Sequence, residues 1–378
     1  MGARIGRILA AAFILAIGAG ILLFISHQNN AGQRDFISYW SAGQLLRHGD
    51  DPYDRNSVLA LEHAAGFPGN EPLIMRNPPV ALFLALPLGY VSANLASLLW
   101  MLALLVALLL SMRLIWIVNA RPPNRTHLLG YCFAPLMECI MAGQLGIVLL
   151  LGTVLFFYFL PRRPFAAGAA LLLCVIKPHL FVPFGILLLI WSIQRKAWLL
   201  LTGITSAIGA SCALVFLVDP HAWAQYHHMV TTAGIMQQIV PTWSEMLRQA
   251  IDKNSIWIQF VPEVIGCAWA LWYYARHRAE WNWLNHGLLV LIVGVLCSPY
   301  SLFPDESMLL PAVLGAVYAA ERNGRSLIFF GCAAGLAMIE VMANISIVTV
   351  YYLWTPLAWL AWFIYSTRPA NDAQPAAT

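Results

Sequence analysis

Charge is what this chain has least of. Only 10% of its 378 residues are Asp, Glu, Lys or Arg, against roughly 25% in soluble globular proteins. With 60% hydrophobic residues and a mean hydropathy of +0.72, the shortage excludes a soluble globular chain and defines an integral membrane protein. No basic run occurs, and arginines and aromatics do not interleave on a polar surface, which excludes a nucleic-acid binder. The seven cysteines lie in or at the ends of apolar segments. No CxxC pair occurs, so they read as small apolar fillers rather than disulfides or metal ligands. HExxH and HxE patterns are also missing. The adjacent His227-His228 would point to different faces of a helix, so they do not read as a metal pair. No metal and no cofactor is implied.

What is there is a succession of apolar runs: 8–25, 95–117, 127–142, 145–160, 165–177, 179–193, 197–217, 256–275, 284–300, 307–320, 326–342 and 347–366. These twelve predict an all-α membrane bundle, a single unit over 1–366 without a soluble domain or internal repeat. The run 8–25 follows Arg4 and Arg7 and lacks a convincing A-x-A site, so it reads as an uncleaved first helix. Several runs fall short of the ~20 residues that cross hydrocarbon. The pairs 127–142/145–160 and 165–177/179–193 read as helices with broken partners. The run 80–92 reads as a re-entrant or interfacial helix, and Ser41–His48 as a short amphipathic helix lying in the interface.

Basic residues mark the cytoplasmic side in short loops. With the N terminus inside, all but seven of the 21 basic residues fall at cytoplasmic ends, the seven being Arg34, Arg47, Arg55, Arg76, Lys177, Arg248 and Lys253. Of 17 acidic residues, only Glu280, Glu321 and Asp372 fall inside. Chemistry is therefore expected at the outer face, in a first outer loop at 27–78 and a second at 218–255. The polar, Ala/Pro-rich stretch 367–378 reads as a disordered cytoplasmic tail. Both termini are placed in the cytoplasm, and the setting implied is a bacterial inner membrane.

Ionisable groups at membrane boundaries are costly to desolvate and usually line a functional cavity. Asp35, followed by the interfacial aromatics Tyr39 and Trp40, is the first candidate. It reads either as a general base accepting a proton from an attacking hydroxyl or as a helix N-cap. Lys177, before Pro178, reads as a cation for a leaving phosphate or as a snorkelling lysine. The carbonyls that Pro178 leaves unpaired favour a site buried in protein. Arg76, ahead of Asn77-Pro78-Pro79, reads equally as a phosphate contact or an interface anchor. Gln144, after Gly143 at a sharp break, reads as a partner for a sugar hydroxyl or as part of a plain turn. His227 and His228 read as phosphate or sugar contacts, or as loop surface. Asp305-Glu306 reads as a site carboxylate pair or as acids favoured by a helix N-terminus. Glu138 and His179 belong to the same set of polar groups at segment ends.

In chain order these residues form a pattern: Asp35-Phe36-x-x-Tyr39-Trp40-x-Ala42-Gly43, Asp51-Pro52-Tyr53-Asp54, Asn77-Pro78-Pro79, Gly143-Gln144, Ile176-Lys177-Pro178 and Ser298-Pro299. The pattern, over roughly 30–310, resembles glycosyltransferase family 87, which includes polyprenol-phosphate-mannose-dependent mannosyltransferases of the cell envelope. The resemblance implies a GT-C type multi-helix fold with an extracytoplasmic active site. It also implies a polyprenyl-phosphate-linked hexose donor, mannose first among the sugars, and an inverting transfer to a lipid or glycan acceptor. Asp35 matches the family's catalytic aspartate, Lys177 the lysine of its Lys-Pro motif and Gln144 its Gly-Gln motif. Tyr39, His227, His228 and Asp305 are the further substrate-binding candidates, with Arg76 and Lys177 on the donor phosphate. Where the family often carries a Trp-x-His type sequence after Ser-Pro, this chain has Tyr300-Ser301-Leu302-Phe303-Pro304-Asp305 and no histidine. The competing class is a transporter or flippase of a lipid-linked sugar. Its usual inverted repeats are not visible here.

Overall fold

A computed structural model describes residues 35–123, 125–232 and 240–368. The apolar run 8–25 and the tail beyond 368 lie outside the described residues. Among the described residues all regular structure is helical. Proline sits in the first turn of many helices, as Pro135, Pro164, Pro183, Pro262, Pro311 and Pro356 do. There it lacks only an N–H that the first turn leaves unpaired anyway, and its fixed φ suits the helix.

The chain opens with α1 (Phe36–His48) and α2 (Arg55–Ala64), then a short irregular helix over Pro79–Tyr90. Next come α3 (Ala93–Val118), α4 (Ala134–Ala142), α5 (Gly146–Phe159), α6 (Pro164–Ala170), α7 (Leu172–Val175), α8 (Val182–Gln194) and α9 (Trp198–Val218). The second half carries α10 (Ala222–Thr232), α11 (Trp243–Ile251), α12 (Val261–His277), α13 (Leu288–Cys297), α14 (Leu310–Arg322), α15 (Ile328–Met342) and α16 (Thr355–Thr367).

Among the described residues three helices are long and apolar enough to cross a membrane: Ala93–Val118, Trp198–Val218 and Ile256–His277. Their large side chains lie open, with Val106, Phe216 and Val264 each at least 60% exposed. Only 17% of the most apolar window of Trp198–Val218 is buried within the protein. Such a surface suits lipid rather than water, and the chain is a membrane protein. By contrast α5, apolar on every side, has ten of its 14 residues buried and forms the centre of the bundle. At ~1.5 Å per residue it is shorter than the ~30 Å hydrocarbon layer.

Most expected runs return as helices, but several are interrupted. The run 127–142 divides into a 3₁₀ turn at Thr126–Cys132 and α4. The run 165–177 divides into α6 and α7. Breaks therefore fall within both pairs, 127–142/145–160 and 165–177/179–193, that read as helices with broken partners. Irregular backbone of this kind survives at membrane depth where protein covers it.

The expected short helix Ser41–His48 is longer and more enclosed. It starts at Phe36, and ten of its 13 residues are buried within the protein, so it packs against its neighbours rather than presenting one free apolar face. Its polar atoms find partners inside. Trp40 Nε1 donates to Val91 O at 3.0 Å, and Arg47 donates to Gly89 O at 3.2 Å. Contact with Pro79–Tyr90 is backbone to backbone. A Cβ on Gly89 would stand 2.2 Å from Gly43 O, and one on Gly43 would stand 2.1 Å from Ala85 O.

Candidate functional site

Four segment ends meet at one end of the bundle: the start of α1, the turn between α4 and α5, the break after α7, and the 3₁₀ helix Phe303–Leu309. Each brings a polar side chain to the same place.

Asp35 occupies the N-cap position of α1, yet its side chain makes no capping hydrogen bond. The Asp35 backbone carbonyl takes the Ser38 N–H instead, at 3.1 Å, and accepts from Ser38 Oγ as well, at 2.7 Å. The carboxylate instead accepts a hydrogen bond from Gln144 Nε2. Burial pushes the Asp35 carboxyl above the usual carboxylate range. The Gln144 bond and the Lys177 ammonium oppose that rise, while the Asp305 carboxylate adds to it.

Gln144 is itself fixed. Gly143 ends α4 at φ +72°, a left-handed conformation that glycine adopts without penalty. Gln144 N–H donates to Cys139 O at 2.9 Å, and Trp100 Nε1 donates to Gly143 O at 2.7 Å. The Gln144 amide oxygen accepts from the Tyr39 hydroxyl at 3.2 Å. Tyr39 is 5% exposed and packs on Trp100, with ring centres 5.7 Å apart. Tyr39 and Gln144 thus hold the base candidate. The amide is engaged once at each end, which leaves its second N–H and its second carbonyl lone pair.

Lys177 does not snorkel. Its ammonium is buried and donates to Asp305 Oδ1 at 2.6 Å. Asp305 Oδ2 accepts from Leu302 N–H at 3.1 Å, so this carboxylate both caps its 3₁₀ helix and neutralises Lys177. Two ammonium hydrogens remain for another partner. Beside the break at Pro178, the Ile176 carbonyl is covered from the first polar stretch, where Asn77 Nδ2 donates to it at 2.9 Å. Tyr53 OH donates to Asn77 O at 3.2 Å, and Asp54 caps α2 through Ser57 N–H at 2.8 Å. The Asp51–Asp54 run is therefore a builder of this end of the bundle.

Arg76, next to Asn77, is half-buried and makes no ion pair among the described residues. Its charge reaches the Tyr300 phenol, as do those of Lys177, Asp305 and Asp35. Glu138 lies within electrostatic reach of Asp35. His227 and His228 are exposed on α10 and do not join this group, though His228 lies near Asp51. Glu306 points away from its neighbour Asp305, accepting from Thr355 Oγ1 at 2.5 Å and Trp359 Nε1 at 3.0 Å. Sequence reasoning missed Tyr300. Its place directly after Ser298-Pro299 is the one signal that could have found it.

The molecule is a helical membrane protein with a half-buried carboxylate set beside one neutralised cation and one that is unpaired among the described residues. Comparison with known families specifies the class. The profile of Glycosyltransferase family 87 matches residues 76–299, and the chain belongs to that family. Its class is therefore glycosyltransferase. Arg76, Gln144 and Lys177 fall within the matched stretch, while Asp35, Tyr300 and Asp305 flank it. Comparison with curated proteins gives no match, and neither does comparison with solved structures.

Proposed function

We propose that the protein moves a hexose, mannose first among the candidates, from a polyprenyl-phosphate donor to an acceptor hydroxyl at the extracytoplasmic face, with inversion. The observation that carries this reading is Asp35: a partly buried carboxylate that caps nothing and is held by Gln144 within reach of Lys177 and Asp305. Burial makes it the stronger base, and a base positioned for proton transfer contributes ~10²- to 10⁴-fold.

In the reaction the acceptor hydroxyl gives its proton to Asp35 as its oxygen bonds to the anomeric carbon. The bond from that carbon to the phosphate oxygen breaks, and its electron pair stays on the phosphate. Negative charge thus leaves Asp35 and arrives on the departing polyprenyl phosphate. Lys177 and Asp305 sum to zero, so Arg76 is the cation that offsets the new charge, with the remaining Lys177 hydrogens helping. Family membership favours transfer over transport of a lipid-linked sugar.

The test is transfer of label from polyprenyl-phosphate-mannose into lipid, glycan and protein fractions. Membranes would carry either the wild type or Asp35→Asn. Label in one fraction with the wild type alone supports the reading and names the acceptor class. Equal label with Asp35→Asn sinks Asp35 as the base, and no label from any polyprenyl-phosphate sugar sinks the donor.

A further inference from the structure

The Tyr300 phenol lies within electrostatic reach of Lys177, Arg76, Asp305 and Asp35. Its position is fixed in two ways. Ser298 Oγ donates to Tyr300 O at 2.8 Å, and Tyr300 N–H donates back to Ser298 Oγ at 3.3 Å. The ring meets His179 edge-on, with centres 5.7 Å apart and planes at 86°. Tyr300 is half-buried, and none of the described residues hydrogen-bonds its phenol O–H, which leaves that group open to a ligand. Beside it, His179 Nε2 is buried and unpartnered. Buried polar groups are nearly always paired, so this His179 atom asks for an explanation.

The neighbours say which ligand atom belongs there. Both carboxylates are already engaged, Asp35 by Gln144, and Asp305 by Lys177 and Leu302. The guanidinium of Arg76 has no hydrogen-bond or ion-pair partner among the described residues. A phenol O–H can donate, and the unengaged charge within its reach is positive. The atom that satisfies both is an anionic oxygen.

The geometry points to Tyr300 as a contact of the donor's phosphate, its O–H donating to a phosphate oxygen alongside Arg76. This rests on the polyprenyl-phosphate donor proposed above. No proton leaves the phenol. As the carbon–oxygen bond breaks and the electron pair settles on the phosphate, the hydrogen bond from Tyr300 strengthens.

The experiment compares binding of polyprenyl phosphate and of the unphosphorylated polyprenol to the purified full-length protein in detergent. The wild type is expected to prefer the phosphate. Tyr300→Phe is expected to lose ~10- to 100-fold of phosphate binding, as for a hydrogen bond to a charged group, with polyprenol binding unchanged. Arg76→Gln should move binding in the same direction. Wild-type affinity for both lipids in Tyr300→Phe overturns the inference and leaves the donor reading standing. An equal loss for both lipids makes Tyr300 a packing residue and overturns the inference as well. A wild type without preference for the phosphate removes the donor reading, and this inference with it.

Discussion

Lys177 and Asp305 form a buried ion pair at 2.6 Å, with side chains 8% and 0% exposed. Replacing Asp305 by Asn leaves an ammonium in a closed site without its counter-charge. Breaking such a pair from one side costs about 3–5 kcal/mol. The Asn side chain still accepts from Leu302 N–H, so the cap, worth about 1 kcal/mol, is retained. Removing both charges in Lys177→Met/Asp305→Asn avoids the stranded ammonium, and stability should return to within about 1–2 kcal/mol of the wild type. Unfolding in detergent, followed by tryptophan fluorescence, reads this directly. Turnover then separates two roles for Lys177. If it only balances Asp305, the double variant recovers activity along with stability. If it also meets the departing phosphate, the double variant folds but stays ~10²- to 10³-fold slow, as when one stabilising donor is lost. A double variant no more stable than Asp305→Asn refutes the buried-pair reasoning, and one with full turnover refutes the phosphate role.

Further outcomes are expected. Activity should fall as pH drops through the raised Asp35 value, and Asp35→Asn should abolish that acid limb along with most turnover; a limb surviving in the variant belongs to another group. Glu62, buried in α2, accepts from Leu73 N–H at 3.0 Å through Oε2 and leaves Oε1 unpaired. Burial pushes its carboxyl from 4.5 up to about 7, so its protonated form favours the fold. That contribution is full below 4.5 and lost as pH rises to about 7. Glu62→Gln should flatten this part of the melting-temperature profile, and an unchanged slope would count against it. Asn77→Ala strands the Ile176 carbonyl and should destabilise by about 1–3 kcal/mol, measured by the same unfolding assay. Gly89→Ala drives a methyl against Gly43 O and should cost about 1–3 kcal/mol or more. It should also displace α1, so transfer should fall with stability. Normal activity there would mean that the close approach is not needed.

The long apolar runs were legible because apolar length is a local property. The reading 95–117 became Ala93–Val118, and 197–217 became Trp198–Val218. Asp35, Gln144 and Lys177 could be singled out as polar groups at segment ends, and the structure brings the three together. Tertiary partnership was not legible. Trp40, Gln44 and Arg47 look like the polar face of an interfacial helix until Val91 and Gly89 supply their acceptors. Asp305 looked like an ordinary helix-start acid because nothing local announces a lysine 128 residues earlier. Tyr39 and Gln144 read as separate groups because sequence cannot reveal that one donates a hydrogen bond to the other. His227-His228 attracted notice as a pair, but helix α10 leaves both on its open side.

That same separation of 128 residues has a consequence for biogenesis. A chain made from its N terminus delivers Lys177 well before Asp305 exists. Until then the ammonium must stay hydrated or among headgroups, and the break at Pro178 must stay loose enough to allow it. The site closes only when the Phe303–Leu309 segment arrives and draws the lysine in. A chain that ends before Asp305 therefore leaves the Lys177 cation uncompensated at a broken helix. The completed protein has no such mark.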